Sequence, residues 1–221
     1  MKRSLLCAAA AAATCCARAA DGGAAFAQRL FDHWCAATPA NTVFSPHSLA
    51  EALGMTAAGA RGETASQIVG VLGLGGDAAA LADALAERRR ALDEAAGADV
   101  TLRTANALFP QRGHPFLEPF LGLLRTRFGG DARPLDFAGA PEAARGAING
   151  WVAERTEQKI PELIPPGVLS AETRLALVNA VYFKGVWQRP FKPAQTRPQP
   201  FTPAGGDPVH VPFMRQTGRF L

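Results

Sequence analysis

The sequence is poor in the residues that most enzymes use. Beyond Ser4, the only serines are Ser45, Ser48, Ser66 and Ser170, and none lies in a Gly-x-Ser-x-Gly elbow. The four histidines, His33, His47, His114 and His210, are scattered, and no pair has the i, i+4 spacing of a helical metal site. No Gly-x-Gly-x-x-Gly or phosphate loop occurs. Ser45 and Ser48 flank His47, but neighbours in sequence do not make a triad, and helix capping explains both serines. Asp131, Asp136 and Glu142 read as solvated surface acids. No catalytic constellation and no cofactor site is expected, so the chain does not read as an enzyme.

Cysteine is scarce where it would matter. Cys7, Cys15 and Cys16 fall in the first residues, and only Cys35 lies beyond them. The four have no zinc-ligand spacing. Cys35 sits in an apolar helical stretch, which predicts a buried, inert thiol.

The start itself resembles a targeting segment. Met1-Lys2-Arg3 is basic, Leu5 to Ala13 is apolar, and Ala17-Arg18-Ala19 places small residues where a signal peptidase cuts. The expectation is a secretory signal over 1–19 and an extracellular or periplasmic protein. The alternatives are an uncleaved N-terminus and a lipid anchor at Cys15 or Cys16, whose preceding residues fit poorly. The apolar run is too short to span a membrane. Without Lys2, Arg3 and Arg18, the 23 basic residues fall to 20 against 19 acidic ones, which removes the support for a nucleic-acid partner.

What is present is a core-forming composition, 48% hydrophobic and 19% charged. Residues 24–37 have helical spacing through Phe26, Leu30 and Trp34. Ser45-Pro46 opens a second helix, with Leu49, Ala52, Leu53 and Thr56 on one side and Gly59 at its end. Further helices are expected over 63–72, 78–95, 115–128 (Leu117, Leu121, Leu124, Phe128) and 141–159 (Ala144, Ile148, Trp151, Val152, Arg155). Strands are expected over 100–109 and 175–183, with an extended piece at 133–137, a Pro-rich stretch over 190–203 and a short strand at 209–214.

Residues 175–183 carry few polar side chains on either face. That predicts a strand buried on both sides in the middle of a sheet, with Val100 to Phe109 as one neighbour and no clear candidate for the other. The fold therefore reads as α+β, helices packed on a large mixed or antiparallel main sheet, incomplete at its C-terminus.

Asn179 is the polar exception in that strand. On the alternation rule it shares a face with Leu175, Leu177, Val181 and Phe183. An unpaired amide there would cost about 1–3 kcal/mol, so partners are expected, with the Ser45/Ser48 helix start as a source. The alternative is a bulge on a solvated edge. The one basic run, Arg88-Arg89-Arg90, is a weak candidate for a sulfated polysaccharide or other polyanion. Glu87, Asp93 and Glu94 nearby favour a solvated helix face instead.

Several segments in order resemble one family. These are residues 41–49 (NTVFSPHSL), 59–68 (GARGETASQI), 106–109 (NALF), 148–152 (INGWV), 156–160 (TEQKI), 177–187 (LVNAVYFKGVW), then Phe201 and residues 211–214 (VPFM). Together they are similar to the N-terminal part of serpins, with Glu157-Gln158 departing from the small residue common before the lysine.

The resemblance implies residues 20–221 to be a serpin domain portion lacking the reactive-centre loop and C-terminal strands. It implies a suicide-substrate inhibitor of serine proteases, or in some members cysteine proteases. The loop, once cleaved, inserts into the main sheet as a new strand, a form of strand addition. By matched position, Ser45, Pro46, Ser48 and Asn179 correspond to the shutter beneath the opening, and Trp187 to the breach where insertion starts. The alternatives are a non-inhibitory serpin acting as carrier, chaperone or signal, and an unrelated secreted hydrolase.

Overall fold

The computed structural model describes residues 22–36, 42–97, 99–203 and 206–218. The expected signal segment, with Cys7, Cys15 and Cys16, lies outside them. The chain divides into two units, 1–183 and 184–221.

The first unit begins with helix α1 over residues 22–36. Helix α2, Pro46–Gly59, starts where Ser45 Oγ accepts the Ser48 N–H at 3.2 Å and Pro46 fills the first turn, which needs no N–H bond. Helix α3, Gly62–Leu72, stops at Gly73 in the left-handed conformation, φ 66°. Helix α4, Ala78–Ala95, is capped by Asp77, whose carboxylate accepts the Ala79 and Ala80 N–H groups at 2.9 Å. Helix α5, Glu118–Phe128, follows strand β1, Val100–Pro110. Helix α6, Pro141–Arg155, and strand β3, Leu175–Gly185, come after the short β2, Asp131–Ala132.

The sheet order is β2-β1-β3. β1 and β2 are parallel, with Ala107 opposite Asp131. β1 and β3 run in opposite senses: Gln111 N–H donates to the Arg174 carbonyl at 2.8 Å, Asn106 meets Asn179, and Arg103 lies over the Tyr182 ring. β1 is thus the central strand. β3 pairs on one side only among the described residues, which corrects its expected place in the middle of the sheet.

Both faces of this sheet are covered. Leu108 of β1 and Leu175 and Leu177 of β3 join the helical cluster of Met55, Leu72, Leu81, Leu85, Leu124 and Phe128. The alternate residues Ala107, Phe109, Val178 and Ala180 pack against Ile148, Trp151 and Val152 of α6. Period-2 alternation explains why the first half of β3 is apolar on both faces: each parity has its own core to fill. The covering ends before Phe183, which is 68% exposed where the sequence expectation has it buried. Gly54 is where α2 comes closest to its neighbours. A Cβ there would stand 2.3 Å from Leu85 Cδ1 and 3.0 Å from the Phe128 ring.

Several boundaries and faces differ from the sequence expectation. The buried face of α2 carries Ala50, Glu51, Gly54, Met55 and Ala58, not Ala52 and Thr56. Apart from Met55, the fully buried positions are small residues and a glutamate, with Leu49 and Leu53 only partly buried against the same core, so hydrophobicity alone does not mark the packed side. Leu117 precedes α5 and is exposed, and α6 ends at Arg155 because Glu157 and Gln158 both adopt left-handed backbone, φ 51° and 60°. Cys35 is exposed rather than buried, because Phe26 and Leu30 supply the packed side of α1.

The segment after α6 is bound to it through side chains. Asn149 accepts the Leu163 and Ile164 N–H groups at 3.1 and 2.9 Å and donates to the Ile164 carbonyl at 2.9 Å. Arg145 adds bonds to Glu162 and to the same carbonyl.

The second unit holds an antiparallel pair, β4 (Arg197–Phe201) and β5 (Val209–Phe213). β4 lies inside the stretch whose prolines argue against a strand. Pro198 faces Pro212 and Pro200 faces His210. The prolines thus occupy alternate rungs, where an outward-pointing N–H is not needed for the ladder.

Candidate functional site

A buried polar chain runs beneath the β1–β3 strands. His47 and Glu51 are one turn apart on α2 and project to the same side. Thr104 and Asn106 are two apart on β1 and share the face that packs on the helices. Asn179 stands opposite Asn106 on β3. Its Nδ2 donates to Asn106 Oδ1 at 2.7 Å. Asn106 Nδ2 in turn donates to Glu51 Oε2 at 3.0 Å and to the Phe128 carbonyl at 2.9 Å. Arg89 of α4 donates to Glu51 Oε2 at 3.3 Å and to the Arg127 carbonyl at 2.7 Å. His47 Nε2 lies 3.4 Å from Thr104 Oγ1.

The chain ties five elements, α2, α4, α5, β1 and β3, into one network around a carboxylate that is 0% exposed. Burial pushes the Glu51 carboxyl above the usual carboxylate range, against the opposing pull of Arg89 and Asn106. Burial lowers His47 to about 4, with Arg88 and Arg89 acting in the same direction and Asp93 against them. His47 Nδ1, Glu51 Oε1 and Asn179 Oδ1 are buried without a hydrogen-bond partner among the described residues. Inside a protein each such atom is costly, so the cluster is strongly position-sensitive.

The sequence candidates divide on this geometry. Asn179 is on the expected face, but its amide goes to Asn106, not to Ser45 or Ser48. Ser45 and Ser48 are joined to each other by the helix cap, and Pro46 sets its first turn. Trp187, in the second unit, is exposed with its ring edge-on to Phe191 at 5.4 Å.

The basic run is divided in its surroundings, with Arg90 exposed and Arg88 half-buried. Arg89 is a structural member of the buried network, and Arg90 bonds the Ala86 carbonyl. Glu51, Asn106, Arg89, Thr104 and His47 do not stand out as a site in the sequence. The one legible signal is the i, i+4 polar pair His47/Glu51 on an otherwise small-residue helix side.

A helix-covered sheet whose last strand is pinned from below by a polar chain, with its far edge unpaired among the described residues, defines an α+β protein of the serpin type. The chain belongs to the serpin family: the family model described as Serpin (serine protease inhibitor) matches residues 21–221. It is 37% identical over 196 residues to leukocyte elastase inhibitor A of Mus musculus, covering 88% of this chain and 51% of that protein. It is 38% identical over 204 residues to Serpin B9 of Homo sapiens, covering 90% and 53%. The solved structure of reactive-loop-cleaved human thyroxine binding globulin superposes with a TM-score of 0.81 at 30% identity, covering 89% of this chain and 58% of that one. The chain therefore spans about half the length of the relatives it matches.

Proposed function

We propose that the complete protein carrying this chain inhibits serine proteases by a serpin mechanism, and that this chain alone is inactive. A protease attacks an exposed loop supplied by residues outside this chain, and the cleaved loop enters the sheet beside β3. The observation that carries this reading is β3 itself: residues 175–180 are covered on both faces, yet one edge has no strand beside it among the described residues. A strand so placed has N–H and C=O groups ready for one more ladder. Ser45, Pro46, Ser48 and Asn179 act in this reading as the shutter below that edge, with Glu51 and Asn106 added to it. Trp187 acts at the breach, where insertion begins.

The names of the relatives, leukocyte elastase inhibitor A among them, support a protease partner. Secretion rests on the N-terminal pattern of residues 1–19 and belongs to the same proposal.

The test is to incubate the complete protein with a panel of serine proteases and one papain-like cysteine protease. A covalent complex of summed mass that survives boiling in SDS is the expected product. Clean loop cleavage by every protease, with no such complex, would exclude inhibition. That result would favour a carrier role, the reading suggested by likeness to a protein named for thyroxine binding.

A further inference from the structure

His47 is half-buried at a place that disfavours a positive charge. It is the second residue of α2, at the positive end of the helix dipole. Its Nδ1 is buried with no hydrogen-bond partner among the described residues, and its Nε2 is only at the limit of contact with Thr104 Oγ1. The charged groups acting on it all come from α4: Arg88 and Arg89 oppose a proton, and Asp93 favours it. β1 presents the uncharged Thr104 and Asn106. From its own helix, Glu51 has its Oε2 already held by Asn106 and Arg89, and its Oε1 has no partner among the described residues. A second proton on the ring would turn Nδ1 into a donor in this confined space, beside two guanidinium groups.

We propose that His47 is an acid-sensitive latch: taking up a proton breaks the polar contact between α2 and β1 and loosens the β1–β3 strands above it. The mechanics follow from the network. Glu51, on the same helix, holds Asn106, and Asn106 holds Asn179. A displacement of the first two turns of α2 therefore removes support from β3 through two hydrogen bonds. The direction is set by the ring: the open state accepts the proton near its ordinary range, the closed state far below it, so acid favours the open state.

The inference stands whether or not the complete protein inhibits a protease, because its readout is opening of the sheet. Amide hydrogen exchange of the complete protein, corrected for intrinsic rates, would be followed at pH 7.5 and 5 in peptides covering the start of α2 and residues 175–180. The expected result is an opening equilibrium about tenfold larger at pH 5, and a response that disappears in His47→Gln. Exchange that stays flat on acidification overturns the latch. So does exchange that slows, which would mean the charged ring pairs with Glu51 Oε1. A His47→Gln protein with the full acid response overturns it as well. If that variant does not fold, the ring of wild-type His47 is titrated by NMR: a midpoint well below the ordinary histidine range supports the latch, and one at about 6.5 rejects it.

Discussion

Asn179 on β3 and Asn106 on β1 are joined side chain to side chain at 2.7 Å, across 73 residues of sequence. This is the only hydrogen bond of the Asn179 side chain in the described network, and it hangs β3 on the same amide that grips Glu51. Replacing Asn179 with Leu would strip Asn106 of that donor and put an apolar branch into a polar pocket. The expected cost is about 1–3 kcal/mol, and in the complete protein a larger fraction of polymer or loop-inserted monomer after mild heating. Native gels showing unaltered monomer, together with an unchanged urea midpoint, would contradict it.

Glu51 is expected to tolerate amidation better than truncation. Glu51→Gln retains an oxygen to accept from Asn106 and Arg89. Glu51→Leu leaves a half-buried guanidinium without its carboxylate, held only by the Arg127 carbonyl, and should destabilise by about 2–4 kcal/mol. The pH dependence has a definite sign. The folded-state pKa is raised, so the stability linked to this group is present below the unfolded glutamate range and is lost as pH rises through the folded value. Urea midpoints between pH 4 and 8 should lose that downward limb in Glu51→Gln and keep any acid-side loss due to His47.

Gly54→Ala should destabilise the first unit by about 1–3 kcal/mol, because the new methyl meets Leu85 and the Phe128 ring. Shortening Leu85 to Val in the same chain should recover part of the loss. Thermal midpoints of the two single variants and the pair check this. Strict additivity would mean that the close approach of α2 to α4 is not what restricts position 54.

Cys35 is exposed on α1. A thiol reagent should therefore label it in the native protein at close to the rate of a small-molecule thiol, without denaturant. Protection that disappears only on unfolding would place it back in a core.

Cleavage after Ala19 is expected on secretion, which mass spectrometry of the exported protein reads as an N-terminus at Ala20. Recovery of intact Met1 in the cytoplasm only would remove the extracellular assignment.

Local signals are sufficient for most of the fold. α4 lies at Ala78–Ala95 as expected, since Asp77 caps one end and an apolar stripe through Leu81 and Leu85 runs along it. β3 is legible from its two-sided apolarity, although its place in the strand order is not, because that order depends on contacts far apart in sequence. β4 escapes a sequence reading because proline argues against strands in general, and only the pairing register shows that its prolines fall on tolerant rungs.

The site is less legible. Asn179 stands out as one polar residue in an apolar run. Its partner lies 73 residues away, and Glu51, the partner's partner, another 55. Little in a helix side made of Ala, Gly, Glu and one Met marks that side as the buried one until α4 and α5 are seen to close over it.

The grip of Asn149 on Leu163 and Ile164 has a mechanical outcome. These bonds fasten residues 163 and 164 to α6, so the segment that leads to β3 starts from a fixed point on the helix packed against Ala107, Phe109, Val178 and Ala180. The sheet is thereby anchored from both sides, by the polar chain beneath it and by this backbone clamp above.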